Sequence, residues 1–233
     1  MSVTTAVEGR PTIVLVHGAF AESSSWNRVT APLIDEGYPV LAVANPLRGV
    51  KRDADYVAAV LDGIDGQIVL VGHSYGGTVI AEAGRHPAVA HLLYISSYLP
   101  DVGQAQGMIM SGESDPALIG DNGDGTLGLS GYDAASFGAR FLQDADSTTQ
   151  GEAWERVTAQ SATAFMTPTS AAGWEGVDST YIVCGQDRST SVVLQRFHAA
   201  RATRSVELPT GHHPFISRPD LVVEQLQALL RRA

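Results

Sequence analysis

Six short aliphatic segments recur along the 233-residue chain and constrain its fold more than any other feature. Most of them show no alternation of polar and apolar residues, which indicates strands that are buried on both faces, as in a parallel sheet. The predicted strands are Thr12–Val16, Pro39–Val43, Ile68–Val71, Leu92–Ile95, Tyr181–Cys184 and Ser205–Leu208.

Amphipathic segments typical of helices separate these strands. One helix is predicted to begin near Ser25, two others to cover Thr78–Arg85 and Val192–Arg201, and a last one to carry Pro219 in its first turn. Because strand and helix alternate, the pattern predicts an α/β protein with right-handed crossovers. We therefore expect a doubly wound, mainly parallel sheet of about six strands.

The segment from about Pro100 to Gly176 interrupts this alternation. It has no aliphatic strand pattern, and its weak helical patterns cover Ala134–Phe141 and Gly151–Phe165. A structureless loop of this length is uncommon inside a compact domain, so we predict a small, mostly helical cap. The predicted core comprises residues 1–99 and 177–233, and the predicted cap insert comprises residues 100–176.

Composition narrows the class of partner. Asp and Glu outnumber Lys and Arg by 25 to 15, and the resulting net charge of −10 opposes binding to nucleic acid. The aliphatic runs are too short to span a bilayer, and residues 1–11 contain Glu8 and no apolar block typical of a signal peptide. We expect a cytoplasmic protein with a small-molecule partner and without nucleic-acid or membrane partners, and the sequence leaves a homodimer open.

A Gly-x-Ser-x-Gly motif spans Gly72 to Gly76 and centres on Ser74. The motif alone is weak, but a predicted strand precedes it directly and a predicted helix follows it. A strand, a sharp turn and a helix are what a nucleophile elbow requires, because the turn exposes the serine oxygen at the helix N-terminus. Ser74 is therefore the predicted nucleophile.

A serine nucleophile needs a base, for which histidine is the usual residue. His212 and His213 follow the last predicted strand, at the edge of the sheet where active-site loops gather, so one of them is the predicted base. His86 and His91 flank the start of a strand and are expected at the surface.

The sequence does not predict a metal or a cofactor. Adjacent histidines rarely point at one zinc ion, and no third ligand is spaced near His212 and His213. The segment Gly120–Gly131 matches three positions of a calcium loop but lacks both of its key carboxylates, so a glycine-rich turn is the better interpretation.

An acid should orient the imidazole, and Asp187 is the predicted one. It follows the predicted strand Tyr181–Cys184 within three residues, whereas Asp178 precedes that strand and lies at the wrong end. Ser74, Asp187 and His212 or His213 then occur in the chain order nucleophile, acid, base.

An oxyanion hole requires two convergent backbone N–H groups. The first is predicted to be that of Tyr75, directly after the nucleophile. The second should come from the loop after the first strand, where Gly18 permits an unusual turn and Ala19 can then donate.

Four segments together resemble the α/β-hydrolase superfamily: VHGAF, VGHSYGG, the Asp after YIVCGQ, and GHHPFISRPDLV. They are most similar to the small plant-type esterase and hydroxynitrile-lyase branch with its bacterial esterase relatives. The resemblance covers nearly the whole chain and is weakest in the insert. Its His-x-Pro-Phe pattern implies that His212 is the base, and its first loop implies Ala19 as the second oxyanion donor. It also implies a pocket between core and cap, for which the candidates are Met108, Met110, Phe137, Phe141, Trp154, Phe165 and Met166.

The resemblance implies a cofactor-independent serine esterase that cleaves a small, fairly apolar carboxylic ester or lactone through an acyl-enzyme. Three alternatives use the same residues: a lyase that cleaves cyanohydrins, a ligand-binding receptor with residual hydrolysis, and a haloperoxidase-like or perhydrolase enzyme. The resembled lyases carry threonine and lysine where this chain has Gly18 and His213. Both departures favour hydrolysis over cyanohydrin cleavage.

Overall fold

The computed structural model describes residues 9–231, which contain nine strands and ten α-helices. The expectation about a signal peptide rests mainly on residues 1–8, which lie outside the described part. The strands are β1 (Thr12–Val16), β2 (Val40–Val43), β3 (Ile68–His73), β4 (Val89–Ile95), β5 (Ile119–Asp121), β6 (Thr126–Leu129), β7 (Gln160–Ser161), β8 (Ser179–Cys184) and β9 (Arg204–Leu208). The helices are α1 (Asn27–Asp35), α2 (Val50–Leu61), α3 (Tyr75–Ala83), α4 (Gln106–Met110), α5 (Ala134–Phe141), α6 (Ser147–Trp154), α7 (Ala162–Met166), α8 (Val192–Ala199), α9 (Pro214–Ser217) and α10 (Pro219–Leu230).

Six strands form the central sheet in the order β2-β1-β3-β4-β8-β9, and every neighbouring pair is parallel. The side chains of β1 show why the aliphatic runs lack polar alternation. Val14 and Val16 belong to the core cluster on one face of the sheet, while Ile13 and Leu15 belong to the cluster on the other face. Both faces are therefore covered, and the predicted doubly wound α/β sheet is confirmed.

The helices lie on both faces of this sheet. Helices α1 and α10 place Val29, Leu33, Val222 and Leu226 in the same cluster as Ile13 and Leu15. Helix α2 packs against α3 on the opposite face. Helix α2 was not predicted from the sequence, although its buried residues follow helical spacing. They are Val50, Asp53, Ala54, Val57 and Leu61.

The insert between β4 and β8 contains helices α4 to α7 and also a small sheet that the sequence did not indicate. Strands β5, β6 and β7 pair antiparallel in that order. Gly123 and Gly125 have φ values of 80° and 83° in the turn between β5 and β6, where the sequence indicated a glycine-rich turn. These strands escaped the pattern analysis because they are two to four residues long and carry few aliphatic side chains.

Within residues 9–231, no helix is both long enough and apolar enough to cross a bilayer.

Candidate active site

Ser74 occupies a strained turn between β3 and α3. Its φ of 50° and ψ of −122° lie outside the regions that L-residues ordinarily adopt, and helix α3 begins at the next residue. The flanking glycines are required sterically. A Cβ at Gly72 would lie 2.7 Å from the carbonyl oxygen of Gly76, and one at Gly76 would collide with the carbonyl oxygen of Val16. The local geometry is therefore that of the predicted nucleophile elbow.

His212 and Asp187 are joined by a hydrogen bond in which Nδ1 of His212 donates to Oδ2 of Asp187 at 2.7 Å. Both side chains are buried. Strand β8 ends three residues before Asp187, and His212 lies four residues after the end of β9, so both loops emerge at the carboxyl edge of the sheet. The structure thus brings together Asp187 and His212, the residues predicted as acid and base.

The remaining acceptor sites of Asp187 are also occupied. Oδ1 accepts the backbone N–H groups of Ser189 and Thr190 at 2.7 and 3.0 Å, and Oδ2 accepts Nε2 of Gln195 at 2.9 Å. Burial alone would raise the pKa of Asp187, but the neighbouring His212 and these hydrogen bonds outweigh burial and lower it. The buried carboxylate is therefore held ionised and oriented toward the imidazole.

Ser96 is a member of this network that the sequence analysis missed. It directly follows β4, is fully buried, and has a φ of 42°. Its Oγ donates to Oδ2 of Asp187 at 2.5 Å and lies 3.1 Å from Nδ1 of His212. The available signal was its position at the carboxyl end of a buried strand, at the same edge of the sheet as Ser74 and Asp187.

Ser74 and His212 line one pocket between the sheet and the insert. Among the hydrogen bonds of the described residues, none connects the Ser74 hydroxyl to the imidazole of His212. Catalytic hydrogen bonds are often long in the absence of substrate and shorten in the complex. The two side chains therefore share a pocket in this structure without direct contact through a hydrogen bond.

The loop after β1 packs closely against the elbow. A Cβ at Gly18 would lie only 2.9 Å from the Cβ of Ser74, so glycine is needed for this approach, and Ala19 lines the same pocket as Ser74. His17 fixes the loop from behind. Its Nδ1 donates to the carbonyl of Gly18 at 2.9 Å, and its Nε2 accepts the N–H of Asn45 at 3.0 Å. Both hydrogen bonds fit a neutral imidazole, and burial lowers its pKa.

Tyr75, the other predicted oxyanion donor, is held through its side chain. Its hydroxyl donates to Oδ2 of Asp53 at 2.7 Å, and the Asp53 carboxylate also accepts the backbone N–H groups of Arg48 and Gly49. Burial raises the pKa of the Tyr75 hydroxyl well above its ordinary range, so it remains a neutral donor. This buried contact restrains the first turn of α3, which carries the Tyr75 N–H.

His213 is buried beside the rings of Phe137, Phe141 and Phe215. Burial, reinforced by the nearby His212, lowers the pKa of His213 to about 3. The adjacent imidazoles thus have different surroundings, since His212 bonds a carboxylate and His213 packs against apolar rings.

A third imidazole approaches this pair, contrary to the expectation that no third metal ligand lies nearby. Nitrogen atoms of His73, His212 and His213 all lie within 4.8 Å of one another. His73 comes from the end of β3, and its Nε2 donates to the carbonyl of His212 at 2.8 Å. The sequence separation of 139 residues concealed this proximity. Nδ1 of His212 already donates to Asp187, so Nε2 is the nitrogen atom of His212 that could contact a ligand.

Asp178, the rejected acid, directly precedes β8, so it lies at the opposite end of this strand from Asp187. It pairs with Arg204 at 2.9 Å and with Nδ1 of His91 at 3.3 Å. His91 is only 6% exposed, so its expected surface position was wrong. Among the described residues that line the pocket of Ser74, none belongs to this ion-pair group.

The pocket wall combines core and insert, and four of the seven proposed lining residues belong to it. Met110, Phe137, Phe141 and Phe165 line the pocket, together with Ala19 and Phe20 from the loop after β1. The other three do not line it. Met108 and Met166 are largely exposed, and Trp154 packs against Phe137 in the core of the insert.

Comparisons with known proteins agree with this architecture. The model of the alpha/beta hydrolase family matches residues 13–225. Probable hydrolase R7 of Phoma sp. is 26% identical over 91% of this chain and 94% of its own length, and methylesterase 9 of Arabidopsis thaliana is 25% identical over 91% and 95%.

Two solved structures are similar across almost the whole chain. The pyrethroid hydrolase of Sphingobium faniae JZ-2 superimposes with a TM-score of 0.80 at 23% identity, covering 95% of this chain and 97% of that one. Polyneuridine aldehyde esterase superimposes with a TM-score of 0.78 at 21% identity, covering 94% and 99%. At such low sequence identity, the structural similarity shows that the fold is shared and shows nothing about the activity.

Proposed function

This chain belongs to the alpha/beta hydrolase family, and we propose that it is a serine esterase that cleaves a small, largely apolar carboxylic ester or lactone. The observation that carries the proposal is the 2.7 Å hydrogen bond between His212 and Asp187 beside the pocket that Ser74 also lines. Aromatic and aliphatic side chains form most of the pocket wall, which supports an apolar substrate. Relatives named as esterases, among them methylesterase 9, support the ester class.

In the proposed reaction, Oγ of Ser74 attacks the ester carbonyl carbon while Nε2 of His212 accepts the hydroxyl proton. The tetrahedral intermediate collapses, the bond to the alcohol oxygen breaks, and His212 returns the proton to the departing alcohol. Water then attacks the acyl-enzyme with His212 as base, which releases the carboxylic acid and restores Ser74. Asp187 stabilises the imidazolium that forms in both halves of the reaction.

The negative charge that develops on the carbonyl oxygen requires two fixed donors, and we assign them to the backbone N–H groups of Ala19 and Tyr75. The close packing of Gly18 on Ser74 and the hydrogen bonds of His17 support the first assignment. The Tyr75–Asp53 contact and the start of α3 at Tyr75 support the second.

Cyanohydrin cleavage by the same triad is the main competing reaction. A lyase needs a positive charge to stabilise departing cyanide, and His213 stands where the resembled lyases carry lysine. Since burial lowers the pKa of His213 to about 3, this residue is neutral near pH 7 and cannot supply that charge.

The discriminating experiment measures p-nitrophenyl ester hydrolysis, with acyl chains from acetate to decanoate, and mandelonitrile cleavage on one preparation. Ser74→Ala serves as the blank. We expect multiple ester turnovers per protein molecule and no triad-dependent release of cyanide. Cyanide release with little ester turnover would establish the lyase, and a single turnover per molecule would indicate a ligand-binding receptor.

A further inference from the structure

Among the described residues that line the pocket of Ser74 and His212, Glu113 is the only one with an Asp, Glu, Lys or Arg side chain. It lies three residues after the end of helix α4. The rest of the wall consists of apolar, aromatic and neutral polar side chains. A single carboxylate in such surroundings gives the pocket a negative charge that its own wall does not neutralise.

The contacts of Glu113 leave half of its carboxylate available. Oε1 accepts the backbone N–H of Ser191 at 3.0 Å, and Oε2 has no hydrogen bond to any described residue. No ion pair involves Glu113 among residues 9–231. Arg140 and Arg188 border a neighbouring cleft that Glu113 also lines, but Arg140 pairs with Asp115, and Arg188 donates to the carbonyl of Ala139 at 3.0 Å.

Five Phe and Tyr rings line the same pocket: Phe20, Tyr98, Phe137, Phe141 and Phe165. Burial raises the pKa of the Tyr98 hydroxyl, and the negative charges of Glu113 and Asp187 add to that rise. Aromatic rings attract cations through their quadrupoles, and the attraction is stronger where water is excluded. A carboxylate together with several rings is a combination that favours a positively charged organic group.

We propose that the preferred ester of this enzyme carries a protonated amine or a quaternary ammonium group, which Glu113 and the aromatic wall bind while the ester carbonyl lies at Ser74. This inference rests on the proposed esterase function. The cation supplies the partner that Oε2 lacks, and its alkyl substituents remain in contact with apolar side chains. An ester with a free carboxylate is disfavoured for the same reason, because like charges repel in a partly desolvated site.

The test compares isosteric esters that differ only in charge. Acetylcholine and 3,3-dimethylbutyl acetate form the pair with the cation on the alcohol side. The p-nitrophenyl esters of 4-(trimethylammonio)butyrate and 5,5-dimethylhexanoate form the pair with the cation on the acyl side. We expect the cationic member of at least one pair to have a kcat/KM higher by about tenfold or more.

Glu113→Gln should abolish that preference, so that the two members of each pair have equal kcat/KM, because glutamine keeps an acceptor for the Ser191 N–H but carries no charge. Glu152→Gln is the matched control. It removes the same charge from an exposed residue in the adjacent cleft, beyond Phe137 and His213, and should retain the preference. Equal kcat/KM within both pairs, or a preference that survives Glu113→Gln, would overturn the proposal.

A binding measurement tests the amine site independently of the proposed esterase function. Calorimetry with Ser74→Ala protein measures the Kd of all four esters without turnover. Tighter binding of a cationic ester that the added Glu113→Gln change abolishes would support the amine site even if no ester were hydrolysed. Equal Kd values within both pairs would refute the site even if the neutral esters were good substrates.

Discussion

Oγ of Ser96 lies 2.5 Å from Oδ2 of Asp187, the same carboxylate oxygen that accepts the hydrogen bond from His212. Ser96 has a φ of 42° in this position. Residues other than glycine rarely adopt such a backbone conformation unless other contacts compensate for the strain. The Ser96 hydroxyl and the His212 imidazole therefore donate hydrogen bonds to the same carboxylate oxygen. The Ser96 hydroxyl also helps to hold the carboxylate in place.

Replacing Ser96 tests this positioning role. Ser96→Ala removes the donor, so the carboxylate interacts more strongly with the imidazolium, and the acid limb of the kcat/KM profile should move to higher pH. We nevertheless expect kcat to fall by about tenfold, because the carboxylate that orients His212 loses one of the hydrogen bonds that hold it in place. Ser96→Gly also lacks the hydroxyl but tolerates the positive φ. If the acid limb moves in Ser96→Ala but not in Ser96→Gly, backbone strain and not the lost hydroxyl causes the effect.

The two adjacent histidines should respond very differently to substitution. His212→Ala removes the base that bonds Asp187, and we expect kcat to fall by about 10⁴-fold or more. His213→Ala removes a neutral ring that packs against phenylalanines, and kcat should stay within about tenfold of the parent. Steady-state kinetics on p-nitrophenyl acetate, with circular dichroism to verify folding, makes the comparison. The reverse ranking would mean that His213 is the base.

Asp187 and Asp178 form a second matched pair. Asp187→Asn should preserve the fold and lower kcat by about 10⁴-fold, because an amide no longer selects the productive imidazole tautomer. Asp178→Asn weakens an ion pair with Arg204 at the far edge of the sheet and should leave kcat nearly unchanged. If Asp178→Asn were the inactivating change, the assignment of the acid would be wrong.

Buried neutral histidines should make the fold sensitive to mild acid. Burial lowers the pKa of His213 to about 3 and that of His198 to about 4, from the ordinary value of 6.5. The unfolded chain then binds more protons than the folded one below pH 6.5, so the free energy of unfolding should fall as the pH drops from 6.5 to 4.5.

His213→Ala removes one of these histidines and should reduce the slope of the free energy of unfolding against pH by up to about 1.4 kcal/mol per pH unit. Urea unfolding at pH 6.5, 5.5 and 4.5 measures it. Val222→Ala is the control, because it removes buried apolar volume without a titrating group and should lower stability equally at each pH. Parallel curves for all three proteins would contradict the account.

How well each feature was predicted from the sequence depended mainly on how far apart in the chain the interacting residues lie. The elbow around Ser74 is local, because its glycines, strand and helix are contiguous, and the sequence located all of them. Helix α2 was missed although Val50, Ala54 and Val57 follow helical spacing, so that omission was an error of interpretation.

Ser96 is different, because 91 residues separate it from Asp187 and 116 from His212. No spacing rule connects residues that far apart, and a serine after a strand has no distinctive pattern. The third imidazole, His73, was hidden for the same reason. Contacts between loops at one edge of the sheet require the strand order, which the aliphatic segments alone do not determine.

The most direct test of the central claim is covalent labelling of the nucleophile. The protein is treated with a fluorophosphonate, digested, and analysed by peptide mass spectrometry while residual hydrolysis of p-nitrophenyl acetate is recorded. We predict one adduct per chain, on the peptide that contains Ser74, with loss of activity in proportion to labelling and no adduct on Ser74→Ala. An adduct on another residue, or full ester turnover by Ser74→Ala, would contradict the account.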